Sequence, residues 1–388
     1  MSISEDLLLR RKRVQAALQQ MDADGCLLTM GVNLYYLAGR VFGGYLYLPA
    51  EGEPVFFVKR PNDFSGGQVL FIRKPEQMSD CFASLGRPLP RKLLLETDEI
   101  SYNECLRLQA AFGSPATGNA TALMRQVRMI KTPWEIEQFR LSAHQHAKTY
   151  SQVASCFRPG MTDLELQAAI EYRMRLNGSF GLFHAFGPNM NIFMGSILAG
   201  SNAETPSPYD FALGGGGQTP LCPIGANGTV LKEGMAVMVD MVGNYTAYLT
   251  DMTRVFAVGK LPGTACRAHR TSQAIQEKIV QAARPGVSCA SLYGIAMAEA
   301  EREGLTDCFM GTGQQAKFVG HGIGIEINEP PVFTPRSKEE LQPNMMFALE
   351  PKFVIPGVGA VGIENSFLVT ETGLEKITLF EEDIIPLD

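Results

Sequence analysis

Two segments of this chain repeat one another closely enough to limit its architecture. Arg158-Pro159-Gly160-Met161-Thr162 and Arg284-Pro285-Gly286-Val287-Ser288 begin 126 residues apart. Each joins two helical stretches: Pro-Gly stops the first helix, and the closing Thr or Ser suits the N-cap of the second. The first copy opens at Thr132-Pro133-Trp134-Glu135, a capping box with proline at the first helical position, and its first helix is expected to reach about Phe157. Thr162 and Glu165 cap the next helix, which should end near Asn177-Gly178. The second copy has one helix through Ala283 and another to Gly304. Helix, turn and helix have thus been duplicated.

The strands share the duplication. VMVDMVGNYTAYLTDMTRVF, residues 237–256, reads as a β-hairpin turning at Gly243 to Ala247, with Asp240 and Asp251 symmetric about the turn and so expected to face each other across the ladder. LEPKFVIPGVGAVGIENSFLV, residues 349–369, reads as a second hairpin centred on Gly357, with Glu350 and Glu364 equidistant from that centre. Pro351 makes its ladder less regular. Directly opposed residues have Cβ atoms roughly 5 Å apart. Two carboxylates that close repel and force one pKa up unless a cation lies between them. His321 lies in Gly320-His321-Gly322, where the glycines are expected to let the backbone turn tightly and present the imidazole. These five groups occupy apolar contexts in which unpaired charge is costly. Four carboxylates and a neutral imidazole are balanced by two divalent cations, and oxygen-rich ligands with one nitrogen suit Mn²⁺ or Co²⁺, with Zn²⁺ and Fe²⁺ also compatible. Two such ions would share and activate a water at neutral pH.

This pattern resembles the pita-bread metallopeptidase family, which includes prolidase, aminopeptidase P, methionine aminopeptidase and creatinase. Asp, a second Asp eleven residues on, His in a GHG context, Glu before Pro and a final Glu occur here in the family's order. Asn33-Leu34-Tyr35-Tyr36-Leu37-Ala38-Gly39 and its surroundings are similar to the creatinase-type N-terminal domain. The resemblance implies an α/β two-domain protein: a creatinase-like N-terminal α/β domain over 1–125 and a pita-bread catalytic domain, with its duplicated helix pair and hairpin, over 126–388. It implies that Asp240 chelates one metal, that His321 and Glu350 hold the other, and that Asp251 and Glu364 bridge them. Glu350 would also shuttle the proton of a bridging water, with His321 beside it in the catalytic machinery. Thr253 and Arg254 match positions beside the second Asp and are read as orienting and packing residues. The implied activity is hydrolysis of Xaa-Pro peptides by an enzyme working as a homodimer. The alternatives are a same-fold enzyme acting on a small non-peptide substrate, as an amidinohydrolase or lyase, and a binding module without catalysis.

Two positions depart from the family. Ser207 and Asn328 stand where substrate-facing histidines are usual, so neither can supply positive charge to a tetrahedral intermediate. His184 is the one histidine of this region able to replace a missing one, although Leu182, Phe183 and Phe186 around it suit packing. The segment 183–218 reads as a loop-rich stretch at the cleft mouth. Its Gly214 to Gly217 run lacks the Lys-Ser/Thr of a phosphate loop and reads as a flexible linker. His144, His146 and His269 are read as surface or interhelix residues.

The alternating strands and helices up to about residue 125 form no catalytic constellation, and Tyr35, Tyr36 and Arg40 are read as packing. A net charge of −6 and a pI near 5.6 argue against a nucleic-acid partner. The one basic run, Arg10 to Arg13, falls on an amphipathic helix from Glu5 to Met21, with Leu7, Leu8, Val14, Ala17, Leu18 and Met21 inward and the charges solvated. No apolar run is long enough to span a membrane and the N-terminus has no signal-like segment, so a cytoplasmic protein is expected. Eight scattered cysteines without a C-x-x-C pair fit reduced, mostly buried thiols.

Overall fold

The computed structural model describes residues 2–187, 193–209 and 211–388 and divides the chain into two compact units, one of residues up to Arg128 with Thr132–Trp134, the other of Met129–Lys131 and Glu135–Asp388. The first unit is built on a six-stranded mixed sheet in the order Gln68–Phe71, Val55–Arg60, Gly43–Pro49, Gly25–Leu28, Lys92–Leu95 and Ala116–Asn119. Tyr47, Phe57, Phe82 and Phe112 pack in its core. The first helix, Ile3–Gln20, buries Asp6, Arg10, Val14 and Leu18, while Leu8 and Met21 are exposed. Arg10 therefore corrects the solvated-face expectation. Its guanidinium pairs with Asp6, lies 4.9 Å from the Tyr36 ring centroid and 5.2 Å from that of Trp134, and donates to the Tyr36 carbonyl at 3.2 Å. A planar cation stacked on aromatic faces tolerates burial that hydropathy counting forbids.

Both helix pairs of the duplication are present, all but Pro133 and Trp134 of them in the second unit. Pro133–Tyr150 and Asp163–Leu176 form the first, Gly263–Ala282 and Cys289–Arg302 the second. Thr162 and Glu165 make the expected capping box, and Ser288 accepts from the Ser291 N–H. The first helix stops at Tyr150, short of Phe157, and continues as a turn and a 3₁₀ segment, Ala154–Cys156. Two of the histidines read as surface or interhelix residues are buried: His146 meets Thr250 Oγ1 at 3.0 Å, and His269 Nε2 donates to the Glu382 carbonyl at 2.7 Å. Burial, with the nearby Arg254 charge, pushes His146 down to about 3. All eight cysteines are free, three buried and five half-buried.

Two sheets carry the hairpins. Strands Gly195–Ala199, Ala236–Gly243, Thr250–Val258 and Ile385–Leu387 form one. The other contains Glu329–Val332, Gly320–Gly322, Met346–Leu349, Asn365–Val369 and Leu374–Lys376, with the ribbon Lys352–Ile355 and Gly359–Gly362 continuing the second hairpin. Within the loop-rich segment 183–218 lie strand Gly195–Ala199 and the 3₁₀ turn Gly200–Glu204, while 188–192 and 210 lie outside the described residues. The glycine run is not a free linker either. Gly215 donates to the Thr205 carbonyl, Gly216 to Asn202 Oδ1 at 2.8 Å and Gly217 to the Gly225 carbonyl. A Cβ on Gly214 would fall 2.0 Å from that of Ser207, so close packing, not mobility, explains the glycine there. Among the described residues no helix is long and apolar enough to cross a membrane.

Candidate metal centre

The first hairpin places its aspartates differently from simple symmetry about the turn. Asp240 is paired with Thr253 and Asp251 with Val242, so the two carboxylates are diagonal neighbours on one face. The shift comes from the six-residue connection Asn244–Leu249, which is anchored by side chains: Ser142 Oγ donates to the Gly243 carbonyl at 2.8 Å and Asn244 Nδ2 to the Leu182 carbonyl. Face is kept because the side-chain period is two residues. Beneath the strands the buried Tyr150 hydroxyl donates to the Met252 carbonyl and accepts from the Met241 N–H at 3.1 Å.

The second hairpin keeps the expected register. Leu349 pairs with Asn365 and Lys352 with Gly362, which leaves Glu350 and Glu364 opposite one another in the gap between the two ladders. Pro351 opens that gap, since it cannot donate to a ladder. The backbone groups thereby freed are taken up by the helix Gly263–Ala282. Ser272 Oγ donates to the Pro351 carbonyl and accepts from the Ile363 N–H at 3.0 Å, while Gln276 Nε2 donates to the Leu349 carbonyl at 2.6 Å and the Ile363 carbonyl at 3.2 Å. Gly362 has φ of +136°, and a Cβ there would meet the Pro351 carbonyl oxygen at 2.6 Å.

His321 lies mid-strand, not in a tight turn. Its flanking glycines serve close approach: a Cβ on Gly322 would sit 2.0 Å from the Pro330 oxygen, and one on Gly320 2.5 Å from the Ala348 oxygen. The imidazole Nδ1 donates to the Gly322 carbonyl at 3.2 Å, turning Nε2 to Glu350 Oε1 at 3.4 Å and Asp251 Oδ2 at 3.9 Å. A backbone acceptor on one ring nitrogen is the usual way to orient the other toward a metal. Asp251, His321 and Glu364 form the one cluster among the described residues whose ligand atoms all lie within 4.8 Å of each other in an arrangement fit for an ion. Asp251 Oδ1 and Glu364 Oε1 are buried with no hydrogen-bond partner. Orphaned buried carboxylate oxygens are costly, and a divalent cation satisfies both.

The other end of the constellation holds a residue the sequence reading passed over. Lys352 Nζ donates to Asp240 Oδ2 at 2.8 Å, Glu350 Oε2 at 2.7 Å and Glu364 Oε2 at 2.9 Å. Its side chain is 1% exposed. The signal was a lone lysine two residues from Glu350 in the apolar run Phe353-Val354-Ile355, on the same strand face. Burial opposes the charge on Lys352, but the three carboxylates override it and hold the ammonium protonated. Burial also works against Glu350, yet Lys352 and His321 bring it down to about 2. Burial and then the Asp240 charge raise Asp251 to about 7. His321 goes up to about 9, since Glu350 and Asp251 outweigh its burial, so a metal must displace that proton.

Thr253 and Arg254 tie the hairpins together. Thr253 Oγ1 donates to Glu364 Oε2 at 2.7 Å. The buried Arg254 guanidinium donates to the carbonyls of Thr253 and Glu364 at 2.8 Å, Glu381 at 2.6 Å and Phe380 at 3.2 Å, and to Asn365 Oδ1 at 2.9 Å. Arg254→Met should strand these acceptors and cost about 3–5 kcal/mol of stability, the range for breaking a buried charge network. Chemical denaturation checks this, and a loss below about 1 kcal/mol would rule out the anchoring role.

The residues at the departing positions, Asn328 and Ser207, bond to the backbone of the loops around them. Asn328 spends its amide on a backbone neighbour, accepting from the Phe186 N–H at 2.7 Å and donating to the Phe186 carbonyl at 2.8 Å. Its neighbour Glu329 is buried against Lys131 at 3.1 Å. The exposed His184 is bridged to this loop through its carbonyl, which accepts from the Ile327 N–H at 2.9 Å. Ser207 accepts from the Tyr209 N–H at 3.2 Å and lines a cavity of about 300 Å³ with Thr205, Phe211, Thr312 and Lys317.

Comparison with known proteins agrees with this construction. Residues 137–371 match the model of metallopeptidase family M24, and residues 10–130 that of the creatinase/prolidase N-terminal domain. The Xaa-Pro dipeptidase of Pyrococcus horikoshii is 22% identical over 97% of this chain and 99% of its own. An uncharacterised peptidase of Staphylococcus saprophyticus is 24% identical over 96% of this chain and 100% of its own. Among solved structures, the Xaa-Pro dipeptidase from Bacillus anthracis superposes with a TM-score of 0.80 at 23% identity, covering 98% of this chain and 100% of that one. The prolidase from Pyrococcus horikoshii OT3 gives 0.78 at 22% identity, covering 96% and 98%. These likenesses bear out the two-domain fold, with a creatinase-like N-terminal domain and a pita-bread C-terminal domain. With a family model matched over more than half its length, the chain belongs to metallopeptidase family M24.

Proposed function

We propose that this protein is a metal-dependent hydrolase of short peptides that cleaves Xaa-Pro bonds. The observation that carries the reading is the trio of buried Asp251 and Glu364 with half-buried His321, with two carboxylate oxygens lacking any partner. Its Xaa-Pro dipeptidase relatives support the substrate class. A divalent ion, Mn²⁺ or Co²⁺ by the ligand chemistry, with Zn²⁺ or Fe²⁺ also compatible, supplies Lewis acidity and lowers the pKa of water when bound. The chain's own groups do the rest. Glu350 is an ionised carboxylate beside His321 and accepts the proton of the attacking water, later returning it to the leaving amine. Thr253 and Arg254 fix the carboxylate and backbone of Glu364. Asp240, the most exposed of the four acids at 24%, adds negative charge at the open side of the site. With Asn328 tied to Phe186, Ser207 and His184 are the residues left to meet substrate from the loop. We assign 1–125 to the N-terminal domain and 126–388 to the catalytic domain, and place the enzyme as a homodimer in the cytoplasm, where eight unpaired thiols are stable.

The test is a panel of Ala-Pro dipeptide, longer Xaa-Pro peptides and matched peptides without proline, each with Mn²⁺- or Co²⁺-loaded protein. Cleavage confined to the proline members is expected. Cleavage of the matched peptides alone would remove the proline assignment, and turnover of no member would remove the peptidase reading.

A further inference from the structure

The ammonium of Lys352 is placed where a second cation would have to be. Its three N–H donors point to oxygens of three different carboxylates, Asp240, Glu350 and Glu364, at 2.7 to 2.9 Å. A lysine has three donors and no acceptor, so the group is fully used. Among described residues, Asp240 and Glu350 contact no cation but this one and, for Glu350, His321. An ion bound between Asp240 Oδ2 and Glu350 Oε2 would need the space that the Lys352 ammonium fills, and one on their other oxygens would lie against a buried positive charge. The remaining ligand atoms, Asp251 Oδ1, Glu364 Oε1 and His321 Nε2, make no bond to the lysine, and their three residues suffice for one ion.

We infer that Lys352 is a built-in cation replacing one of the two metals its ligand set would otherwise hold, so that this enzyme works with a single divalent ion at Asp251, His321 and Glu364. The lysine enters from the ladder position opposite Gly362, on a strand fixed at both ends by pairing, so its position is part of the fold. It neutralises the carboxylates permanently, without depending on metal supply.

This inference rests on the metal-dependent reading above, and one set of samples separates the two. Full-length protein stripped with chelator is titrated with Mn²⁺ while bound metal per chain is counted by elemental analysis, spin coupling is read by electron paramagnetic resonance, and hydrolysis of the same peptide panel is measured alongside. Wild type is expected to saturate at one ion per chain with the six-line signal of an isolated Mn²⁺. Lys352→Gly, which vacates the space, is expected to reach two ions and a coupled spectrum. Two ions on the wild type, or a folded Lys352→Gly that stays at one, overturns the inference. Should Lys352→Gly not fold, the wild-type count still decides. One ion without hydrolysis of any peptide removes the peptidase reading and leaves Lys352 in place, two ions with hydrolysis does the reverse, and no bound ion removes both.

Discussion

Asp251→Asn should lower kcat/KM on a proline dipeptide by ~10³-fold or more, because a bound metal contributes several kcal/mol of charge stabilisation and each 1.4 kcal/mol is a factor of ten. Asp251 offers one of the two buried oxygens without a partner, and an amide there gives a neutral, weaker ligand. The substitution leaves the fold intact, since the Asp251 backbone, not its carboxylate, exchanges hydrogen bonds with Ser366. Stability provides an independent check on ion-free protein. Burial and the Asp240 charge raise Asp251 to about 7, above its unfolded value, so the folded chain binds the extra proton. Stability from that proton is present at low pH and lost as pH rises through about 7. Removing the charge should therefore raise the melting temperature of metal-free protein at pH 8 relative to wild type, with little difference at pH 4. A variant that keeps full activity, or one that melts well below wild type at pH 8, would contradict this placement.

Glu350→Gln is expected to lower kcat by about 10²–10⁴-fold, the usual contribution of a positioned general base, while KM changes little. Glu350 is held ionised against its own burial by Lys352 and His321, at 2.7 and 3.4 Å. Glutamine preserves the shape and a hydrogen-bonding oxygen for Lys352 but cannot accept a proton. A loss expressed in KM with kcat preserved would mean that Glu350 binds substrate instead. The side chain's size argues for Gln over Ala here, since Ala would also leave Lys352 with one donor unpaired in a buried site.

What the sequence disclosed follows from the physics of each signal. The helix pairs were legible because Pro-Gly stops and Thr or Ser caps act locally, and Thr162 and Ser288 cap as expected. The register of the second hairpin was legible because its three-residue turn at Pro356–Val358 leaves little freedom, and Glu350 faces Glu364. The first hairpin has a longer connection anchored by Ser142 and Asn244, contacts remote in sequence, and symmetry about the turn missed its register by one diagonal step. The glycines around His321 were noticed for the wrong reason, since only the neighbouring strands reveal that a Cβ has no room. Buried charges were the hardest to foresee. Arg10 and Lys352 both look solvent-bound by type, and each is buried because its partners, Asp6 with two aromatic rings in one case and three carboxylates in the other, come from the fold.

The central claim, that the trio serves metal-dependent cleavage of Xaa-Pro peptides, is tested most directly by chelation and restoration. Ala-Pro hydrolysis is measured on metal-loaded protein, on the same protein after chelation and dialysis, and after Mn²⁺ or Co²⁺ is returned. Hydrolysis that disappears with the metal and comes back with it is the predicted result. Hydrolysis that survives complete removal of the metal, or no hydrolysis at saturating Mn²⁺ and Co²⁺, would contradict it.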